Sequence, residues 1–368
     1  MSSDLVDGTC AARFDPLRLA FAANLASGVD VGASVCVTVE GETVVDLWGG
    51  YRDAARTMPW QRDTLVCVYS CTKAMSALTA LWLADQGRLD VDAPVAAYWP
   101  EFAQNGKDEV LVRQVLNHSA GLPEWATPIG LADLYDWHHA TRLLAEQRPA
   151  WPPGSAFGYH SLTQGYLIGE IVRRIDGRSI GQVFHEEIAR PLRADFYIGL
   201  PAVLDDRVAE LVTPAPWPPP DSVGSGVSLD VALTRTRAWR AAEVPAGGGI
   251  GHARAMAEVL AVLANEGRVA GRQLLQPQTC RRALEVDVEG VDRVLGTPLR
   301  FGLGLAVGGA MPNPDTLYWA GHGGSLVIID MNARTTFAYA MNRMSPAISG
   351  DARGFGLAMA MWEACGLI

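Results

Sequence analysis

The sequence predicts an α+β protein in which both ends of the chain build a sheet domain and the middle forms an inserted helical domain. Residues from Gly32 to Asp46 alternate between apolar and polar side chains, as a half-buried hairpin does. Helical stretches separated by turn-rich joints follow, and short strand patterns return between Phe301 and Met341. Because strands come first and last, we expect a discontinuous sheet domain (1–85 and 246–368), a helical domain (86–245) and an active site in the cleft between them.

Local patterns along the chain predict the individual elements. Glu40-Gly41 forms the turn of the first hairpin, and Trp48-Gly49-Gly50 ends its second strand. Apolar residues recur at helical spacing in these segments: about 14–26, Cys71–Gln86, Val112–Asn117, Leu162–Ile171, about 252–265 and about 352–364. The later strand patterns are these: Phe301–Val307, Tyr318–Gly321, Ser325–Asp330 and Thr335–Met341. The proline-rich segment from Pro214 to Pro220 predicts a stiff, extended surface loop.

The composition is typical of a soluble globular protein of enzyme size. Of the 368 residues, 49% are hydrophobic and 19% are charged. The formal net charge of −10 disfavours nucleic acid and anionic membrane surfaces as partners. Met1 to Leu25 contains neither a basic region nor a sustained apolar run, and no apolar stretch is long enough to span a bilayer. We therefore expect a cytoplasmic protein with no membrane partner; its oligomeric state stays open.

Cysteines and histidines give no sign of a disulfide framework or a metal site. The six cysteines contain no Cys-x-x-Cys pair, so buried free thiols in a reducing compartment are the better interpretation. The seven histidines are scattered, and the adjacent pair His138 and His139 faces two sides of a helix. Neither lysine lies in a glycine-rich phosphate loop. We expect no metal and no cofactor.

The most informative motif is Ser70-Cys71-Thr72-Lys73, which opens an apolar helix. The chain has only two lysines, Lys73 and Lys107, and the other 28 of its 30 basic residues are arginine. Ser70 and Lys73 share a helix face, so the amine can reach the hydroxyl and activate it as a nucleophile. The unpaired N–H groups at the helix N-terminus would stabilise an oxyanion. The motif alone does not exclude a helix-capping serine followed by a solvated lysine.

Tyr159-His160-Ser161 could supply the second proton carrier that a Ser-Lys nucleophile needs. This segment follows the turn Trp151 to Gly154 and precedes an apolar helix, so its side chains can point into a cleft. Tyr159 could relay a proton if the charge of Lys73 lowers its pKa. Without the Ser-x-x-Lys motif, a tyrosine packed on the corner with its hydroxyl in water would be the better interpretation.

Gly321-His322-Gly323-Gly324-Ser325 joins two predicted strands. Glycines within a strand pattern suggest that another backbone or a ligand approaches closely. The N–H of Ser325 could then complete an oxyanion hole with the N–H of Ser70. The alternative is a glycine bulge that carries an exposed histidine.

Gly177-Arg178-Ser179-Ile180-Gly181 matches the Gly-x-Ser-x-Gly pattern of esterases, but its context is wrong. A nucleophile elbow needs a strand before the serine and a helix after it. Here the helical stretch Leu167–Arg174 precedes the motif. We therefore expect Ser179 to cap the helix that runs through Val183–Ala189.

The order of the three candidate segments resembles that of the penicillin-recognising serine enzymes. A tyrosine corner follows Ser-x-x-Lys by about 90 residues, and a glycine-bearing strand follows about 160 residues later. The chain looks like the class C β-lactamase branch and, more closely, like the family VIII carboxylesterases, from about Gly32 to Met344. The resemblance rests on these stretches: VVDLWGG (44–50), SCTKAMSAL (70–78), GRLDVDAPVAAYWPEF (87–102), VRQVLNHSAGLP (112–123), GYHSLTQGYLIGEIVRRIDGRS (158–179) and GHGGSLVIID (321–330).

This resemblance implies a β-lactamase/DD-peptidase-like fold, in which helices flank an antiparallel sheet and a helical domain completes the cleft. It implies that Ser70 is the acylated nucleophile, Lys73 its base partner and Tyr159 the proton relay. The backbone N–H groups of Ser70 and Ser325 would form the oxyanion hole. Four residues would bind substrate: Ser161, His322, Gly323 and Gly324.

Two departures from the β-lactamase pattern favour neutral esters over penicillins as substrates. Ser161 replaces the asparagine of Tyr-x-Asn, and His322-Gly323-Gly324 replaces Lys-Thr-Gly. A histidine that is largely neutral at pH 7 holds an anionic substrate less well than a lysine does. The sequence thus predicts a serine hydrolase that cleaves small-molecule carboxylic esters, with short to medium acyl chains by family analogy.

Three alternatives stay open at this point. An acyltransferase would use the same acyl-enzyme and pass the acyl group to an alcohol or amine. A β-lactamase or DD-peptidase would need export and a cationic third motif, and neither is visible in the sequence. A non-catalytic binding protein on this fold would not need the intact set of Ser70, Lys73 and Tyr159.

Overall fold

A computed structural model describes residues 5–215, 230–348 and 350–368 of the chain. Within these ranges the strands are β1 Val6–Cys10, β2 Gly32–Val39, β3 Glu42–Gly50, β4 Val66–Cys67, β5 Phe196–Ile198, β6 Gly249–Gly251, β7 Arg268–Val269, β8 Arg272–Gln273, β9 Val288–Val291, β10 Pro298–Phe301, β11 Ala306–Val307, β12 Thr316–Ala320, β13 Leu326–Asp330 and β14 Thr335–Met341. The α-helices are α1 Asp15–Ser27, α2 Thr72–Asp85, α3 Val112–Leu116, α4 Leu131–Tyr135, α5 Trp137–Glu146, α6 Thr163–Asp176, α7 Ile180–Val183, α8 Arg190–Leu192, α9 Arg237–Ala241, α10 Ala253–Ala264, α11 Pro277–Leu284 and α12 Ala352–Cys365.

Both ends of the chain build one antiparallel sheet, as the sequence predicts. Its strand order is β1-β3-β2-β14-β13-β12-β11-β10-β9, so the N-terminal hairpin lies beside the C-terminal strands. The junction is the long pairing of β14 with β2, which runs from Thr335 opposite Val39 to Met341 opposite Ala33. The predicted α+β class is therefore confirmed. The edge strand β1, which pairs with β3, is an addition that the sequence pattern did not reveal.

Local chemistry explains the first hairpin. Glu40 and Gly41, the two residues between β2 and β3, have φ values of 53° and 83°. Two consecutive positive φ angles are typical of the turn whose twist matches that of paired strands. Glycine adopts this conformation without steric cost.

Helices cover both faces of the sheet. Residues at odd separation along a strand point to opposite faces. On β14, the Thr336 hydroxyl donates to the carbonyl oxygen of Ala257 in α10, whereas Gly354 of α12 packs against the Tyr339 ring. All seven residues of β14 are consequently buried, which fits a strand without the alternation of polar and apolar residues that a half-exposed strand shows.

Between residues 86 and 245, the described part of the chain contains the helices α3 to α9 and one short strand. That strand, β5, pairs with β6, and β6 also pairs with β4, which lies directly before Ser70. The small sheet therefore ties the predicted helical segment to the segments on either side of it. The division into domains at residues 86 and 245 stays a prediction.

Most predicted elements agree with the structure within a few residues, with one clear difference. The predicted strand Phe301–Val307 is two strands, β10 and β11, joined by a tight turn in which the Gly302 N–H donates to the Leu305 carbonyl at 3.1 Å. Gly304 in this turn has a φ of 91° and lies against Ala77 of α2, where a Cβ would come within 2.6 Å. A glycine turn pressed against a helix thus interrupts the apolar run.

Two other predictions concern surface segments. Ser179 caps α7 as expected, because its hydroxyl accepts a hydrogen bond from the Gln182 N–H at 3.3 Å. Most of the predicted loop from Pro214 to Pro220 lies outside the described residues.

None of the helices in the described ranges combines the length and apolar character needed to cross a membrane.

Candidate active site

Ser70 lies in a 3-10 turn, Tyr69–Cys71, between β4 and α2. Tyr69 has a φ of 43°, a left-handed conformation that is unusual for a side chain of this size. The Thr72 hydroxyl donates to the Tyr69 carbonyl and accepts from the Gly249 N–H at 2.8 Å, which holds the turn against β6. Ser70 does not cap α2, whose first turn has no side-chain cap. Its partly exposed hydroxyl is therefore available for other contacts.

Lys73 is fully buried and reaches back along the helix to the nucleophile. Its Nζ lies 3.4 Å from Ser70 Oγ. It also donates hydrogen bonds to two backbone carbonyls, that of Ser161 at 2.7 Å and that of Ala246 at 2.9 Å. Ser161 belongs to the predicted helical domain and Ala246 to the segment directly after it, so Lys73 joins the two.

Burial controls the protonation of Lys73. Desolvation lowers the pKa of the Lys73 amine well below its usual value of 10.5, and the nearby Cys71 thiol opposes this only in part. A neutral amine has two N–H donors, which the carbonyls of Ser161 and Ala246 satisfy. Its lone pair is then left for the Ser70 hydroxyl. This arrangement suits a general base.

Tyr159 completes the contacts of the nucleophile. Its hydroxyl donates to Ser70 Oγ at 2.7 Å, so Ser70 lies between the phenol and the amine. The Tyr159 ring packs against His118 and Trp319, with ring centroids 5.1 and 5.3 Å apart. Lys73 Nζ lies 4.5 Å from the centre of the Tyr159 ring. The structure thus brings together the three side chains that the sequence predicts as catalytic.

The expected influence of Lys73 on Tyr159 is not found. Burial raises the pKa of the Tyr159 phenol, and the hydrogen bond to Ser70 opposes this only in part. The same burial lowers the pKa of Lys73 and so disfavours the ammonium form that would stabilise a phenolate. Tyr159 is therefore protonated at neutral pH and can donate a proton.

Ser161 contributes its backbone to the site. The carbonyl oxygen of Ser161 holds Lys73, and its side chain is only partly buried at the start of α6. The sequence suggested a side-chain contact with substrate at this position, which stays a prediction.

The segment from Gly321 to Ser325 packs directly against the turn before Ser70. The Ser325 hydroxyl donates to the Val68 carbonyl at 2.8 Å, and the Cys71 thiol lies 3.5 Å from the same hydroxyl. A Cβ on Gly321 would lie 2.2 Å from both the Val68 carbonyl oxygen and Ser325 Oγ, so only glycine permits this approach. The predicted partners of the oxyanion hole, Ser70 and Ser325, are consequently carried by two segments in contact.

His322 contacts an aromatic ring, whereas Gly323 and Gly324 are required by backbone conformation and packing. The His322 ring meets the Tyr69 ring edge-on, at a centroid distance of 5.4 Å, and burial lowers its pKa. Gly323 and Gly324 have φ values of 91° and 127°. A Cβ at Gly323 would come within 2.4 Å of the Met344 sulfur. Backbone conformation and packing thus account for these glycines, and their contact with substrate stays a prediction.

Sequence patterns did not identify several residues around the site. The carbonyl of Ala246 holds Lys73, and the rings of His118 and Trp319 pack on Tyr159. The Asp292 carboxylate accepts a hydrogen bond from the Tyr159 N–H at 3.1 Å. The glycine run that follows Ala246 was the only available sequence signal, since the other three contacts join segments far apart in the chain.

An apolar pocket of about 440 Å³ lies between β10, β12 and α12, with Leu299, Tyr318 and Phe355 among its lining residues. Trp319 also lines it and packs on Tyr159, but none of the sequence-predicted site residues does.

Comparisons with known proteins add independent information. The family model described as Beta-lactamase matches residues 20–357. The esterase/beta-lactamase LipL of Mycobacterium tuberculosis is 33% identical over 389 residues, which cover 95% of this chain and 86% of LipL. The crystal structure of a family VIII carboxylesterase superimposes with a TM-score of 0.93 at 41% identity, covering 98% of this chain and 99% of the other. A penicillin-binding protein homologue from Caulobacter crescentus gives a TM-score of 0.89 at 37% identity, with coverage of 98% and 99%.

Proposed function

This chain belongs to the beta-lactamase family, and from that premise we propose that it is a serine carboxylesterase acting on small-molecule esters. The observation that carries the proposal is the position of Ser70 Oγ, 2.7 Å from the Tyr159 hydroxyl and 3.4 Å from Lys73 Nζ. The similarity to a family VIII carboxylesterase over nearly the whole of both chains supports the same activity.

Acylation begins with the serine. As Ser70 Oγ attacks the ester carbonyl carbon, its proton passes to the neutral amine of Lys73, which becomes an ammonium group. The carbonyl oxygen takes up the negative charge of the tetrahedral intermediate. The backbone N–H groups of Ser70 and Ser325 stabilise this oxyanion.

The intermediate breaks down with the help of Tyr159. The Tyr159 hydroxyl gives its proton to the departing alcohol oxygen and regains one from the Lys73 ammonium group. Both groups then return to their starting forms, and the acyl group is left on Ser70. A water molecule then attacks this acyl-enzyme in the same manner. Its proton passes to Lys73, Tyr159 protonates the departing Ser70 Oγ, and the carboxylic acid is released.

The electrostatics of the third motif favour neutral substrates. Burial lowers the pKa of His322, so its imidazole is uncharged at neutral pH. An uncharged group attracts the carboxylate of a β-lactam less than a lysine would. LipL combines esterase and beta-lactamase in its name, so cephalosporin cleavage is measured beside ester hydrolysis.

We also propose a reducing, cytoplasmic location. All six cysteines are free thiols, and four of them are buried. Structural disulfides are rare in the cytoplasm and common in exported proteins. Fractionation of the native host with an antibody against this chain tests the proposal.

The decisive experiment compares wild type with Ser70→Ala on p-nitrophenyl esters of increasing acyl length, with a chromogenic cephalosporin and an added acceptor alcohol in parallel. The proposal predicts hydrolysis of short to medium esters that Ser70→Ala abolishes, with little cephalosporin cleavage. Transfer to the alcohol in excess of hydrolysis would instead establish an acyltransferase. Absence of any ester turnover by folded wild-type protein would refute the proposal.

A further inference from the structure

Asp292 is a buried carboxylate that the reaction as described does not use. It lies in the turn between β9 and β10 and is fully buried. Its Oδ1 accepts hydrogen bonds from three backbone N–H groups: Tyr159 at 3.1 Å, Val294 at 2.8 Å and Leu295 at 2.8 Å. Two of these bonds shape its own turn, and the third holds a residue 133 positions earlier in the chain.

The same turn makes a second connection to the segment before Tyr159. The Arg293 N–H donates to the Phe157 carbonyl at 3.1 Å. Between these two bonds lies Gly158, where a Cβ would come within 3.2 Å of the Arg293 and Val294 side chains. The β9–β10 turn, at one edge of the nine-stranded sheet, therefore clamps the backbone on both sides of Gly158.

The second carboxylate oxygen of Asp292 lowers the stability of this arrangement. Oδ2 is buried and makes no hydrogen bond to any residue that the structure describes. A buried carboxylate with an unsatisfied oxygen loses stability compared with a fully satisfied one. The negative charge of Asp292 also adds to burial in raising the pKa of Tyr159, which favours the protonated phenol. Both the geometry and the charge act on Tyr159.

We propose that Asp292 is a positioning residue for the proton relay: it fixes the backbone of Tyr159 so that the phenol stays within hydrogen-bonding distance of Ser70. This inference rests on the proposed esterase function. It gives Asp292 a role through Tyr159 alone, without contact with the substrate. The consequence is specific for acylation, which kcat/KM reports, because in that step only substrates whose leaving group needs a proton depend on the relay.

Leaving-group dependence tests this role. Ethyl butyrate and p-nitrophenyl butyrate share an acyl group, but only the alkyl alcohol is a poor leaving group that must be protonated. In Asp292→Ala, we expect kcat/KM for the ethyl ester to fall about tenfold more than for the p-nitrophenyl ester. This is less than the roughly 10²–10⁴-fold that general acid–base catalysis contributes, because the relay is displaced and not removed. Tyr159→Phe should show the same selectivity. Asp292→Asn should stay within about threefold of wild type, because its amide oxygen still accepts the three N–H groups.

Asp53→Ala is the matched control. Asp53 is also a buried aspartate whose carboxylate accepts backbone N–H groups, those of Thr57 and Met58, but it has no contact with Tyr159. This variant should keep the wild-type ratio of the two esters whatever its stability. If Asp292→Ala does not fold, Asp292→Ser takes its place, with the same selective loss expected because the shorter hydroxyl cannot reach all three donors.

Each outcome decides one of the two proposals. An Asp292→Ala variant that loses both esters equally, or neither, would overturn the positioning role, as would an Asp292→Asn variant with a tenfold selective loss. Failure of the esterase function itself would look different: wild type would not hydrolyse either ester, or Ser70→Ala would retain activity.

Discussion

The neutral state of Lys73 predicts a measurable dependence of stability on pH. Burial lowers the pKa of Lys73 well below 10.5 in the folded protein, whereas the unfolded chain exposes the amine to water. Between the lowered pKa and about 10.5, the unfolded state therefore binds one more proton than the folded state. The contribution of Lys73 to the free energy of unfolding then rises with pH across this interval. Below the folded-state pKa both states are protonated, and this contribution is absent.

The size of this contribution follows from the one proton that the unfolded state binds and the folded state does not. Each pH unit inside the interval adds about 1.4 kcal/mol to the free energy of unfolding. Lys73→Met removes the titrating amine and keeps an unbranched side chain of similar length in the buried position. The variant should lack this contribution, so the slope of its free energy of unfolding against pH should be lower than that of wild type.

Urea unfolding at a series of pH values measures both slopes. The matched control is Ser70→Ala, which alters the same site without removing a titrating group, and its slope should equal that of wild type. Equal slopes for wild type and Lys73→Met would mean that Lys73 is charged in the folded protein. The assignment of Lys73 as the general base would then be wrong.

Two further predictions concern backbone contacts. Gly321→Ala would place a methyl group 2.2 Å from the Val68 carbonyl oxygen and from Ser325 Oγ. We expect a loss of about 1–3 kcal/mol in the free energy of unfolding, and a fall in kcat in the protein that folds; wild-type stability and turnover would contradict the assigned packing. Ser161→Ala keeps the carbonyl that holds Lys73 at 2.7 Å. Its kcat should stay within about threefold of wild type, since the base is unchanged, and a drop to the level of a Lys73 variant would show that the hydroxyl matters for catalysis.

Local patterns in the sequence predicted the nucleophile segment well. The three-residue spacing of Ser70 and Lys73 predicted that both side chains lie on one helix face. In the structure, Lys73 Nζ lies 3.4 Å from Ser70 Oγ. The position of Tyr159 depended on the order of motifs along the chain, and its hydroxyl lies 2.7 Å from Ser70 Oγ. The start of the helix was less accurate, because a 3-10 turn precedes α2 and Ser70 does not cap it.

Contacts between distant segments were beyond local patterns. The carbonyls of Ser161 and Ala246 bind Lys73 through main-chain atoms, and any residue type can supply a carbonyl. Asp292 meets Tyr159 across 133 residues of sequence. The pKa of Tyr159 was expected to fall if the charge of Lys73 acted on it; instead burial raises it, and burial is a property of the assembled fold.

The most direct test of the account is to trap the acyl group. Wild-type protein mixed with p-nitrophenyl butyrate and quenched in acid should gain the mass of one butyryl group, located by peptide mass spectrometry on the peptide that contains Ser70. Ser70→Ala should gain none and should not release p-nitrophenol above background. An acyl group on another residue, such as Ser179, or continued turnover by Ser70→Ala would contradict the assignment of Ser70 as the nucleophile.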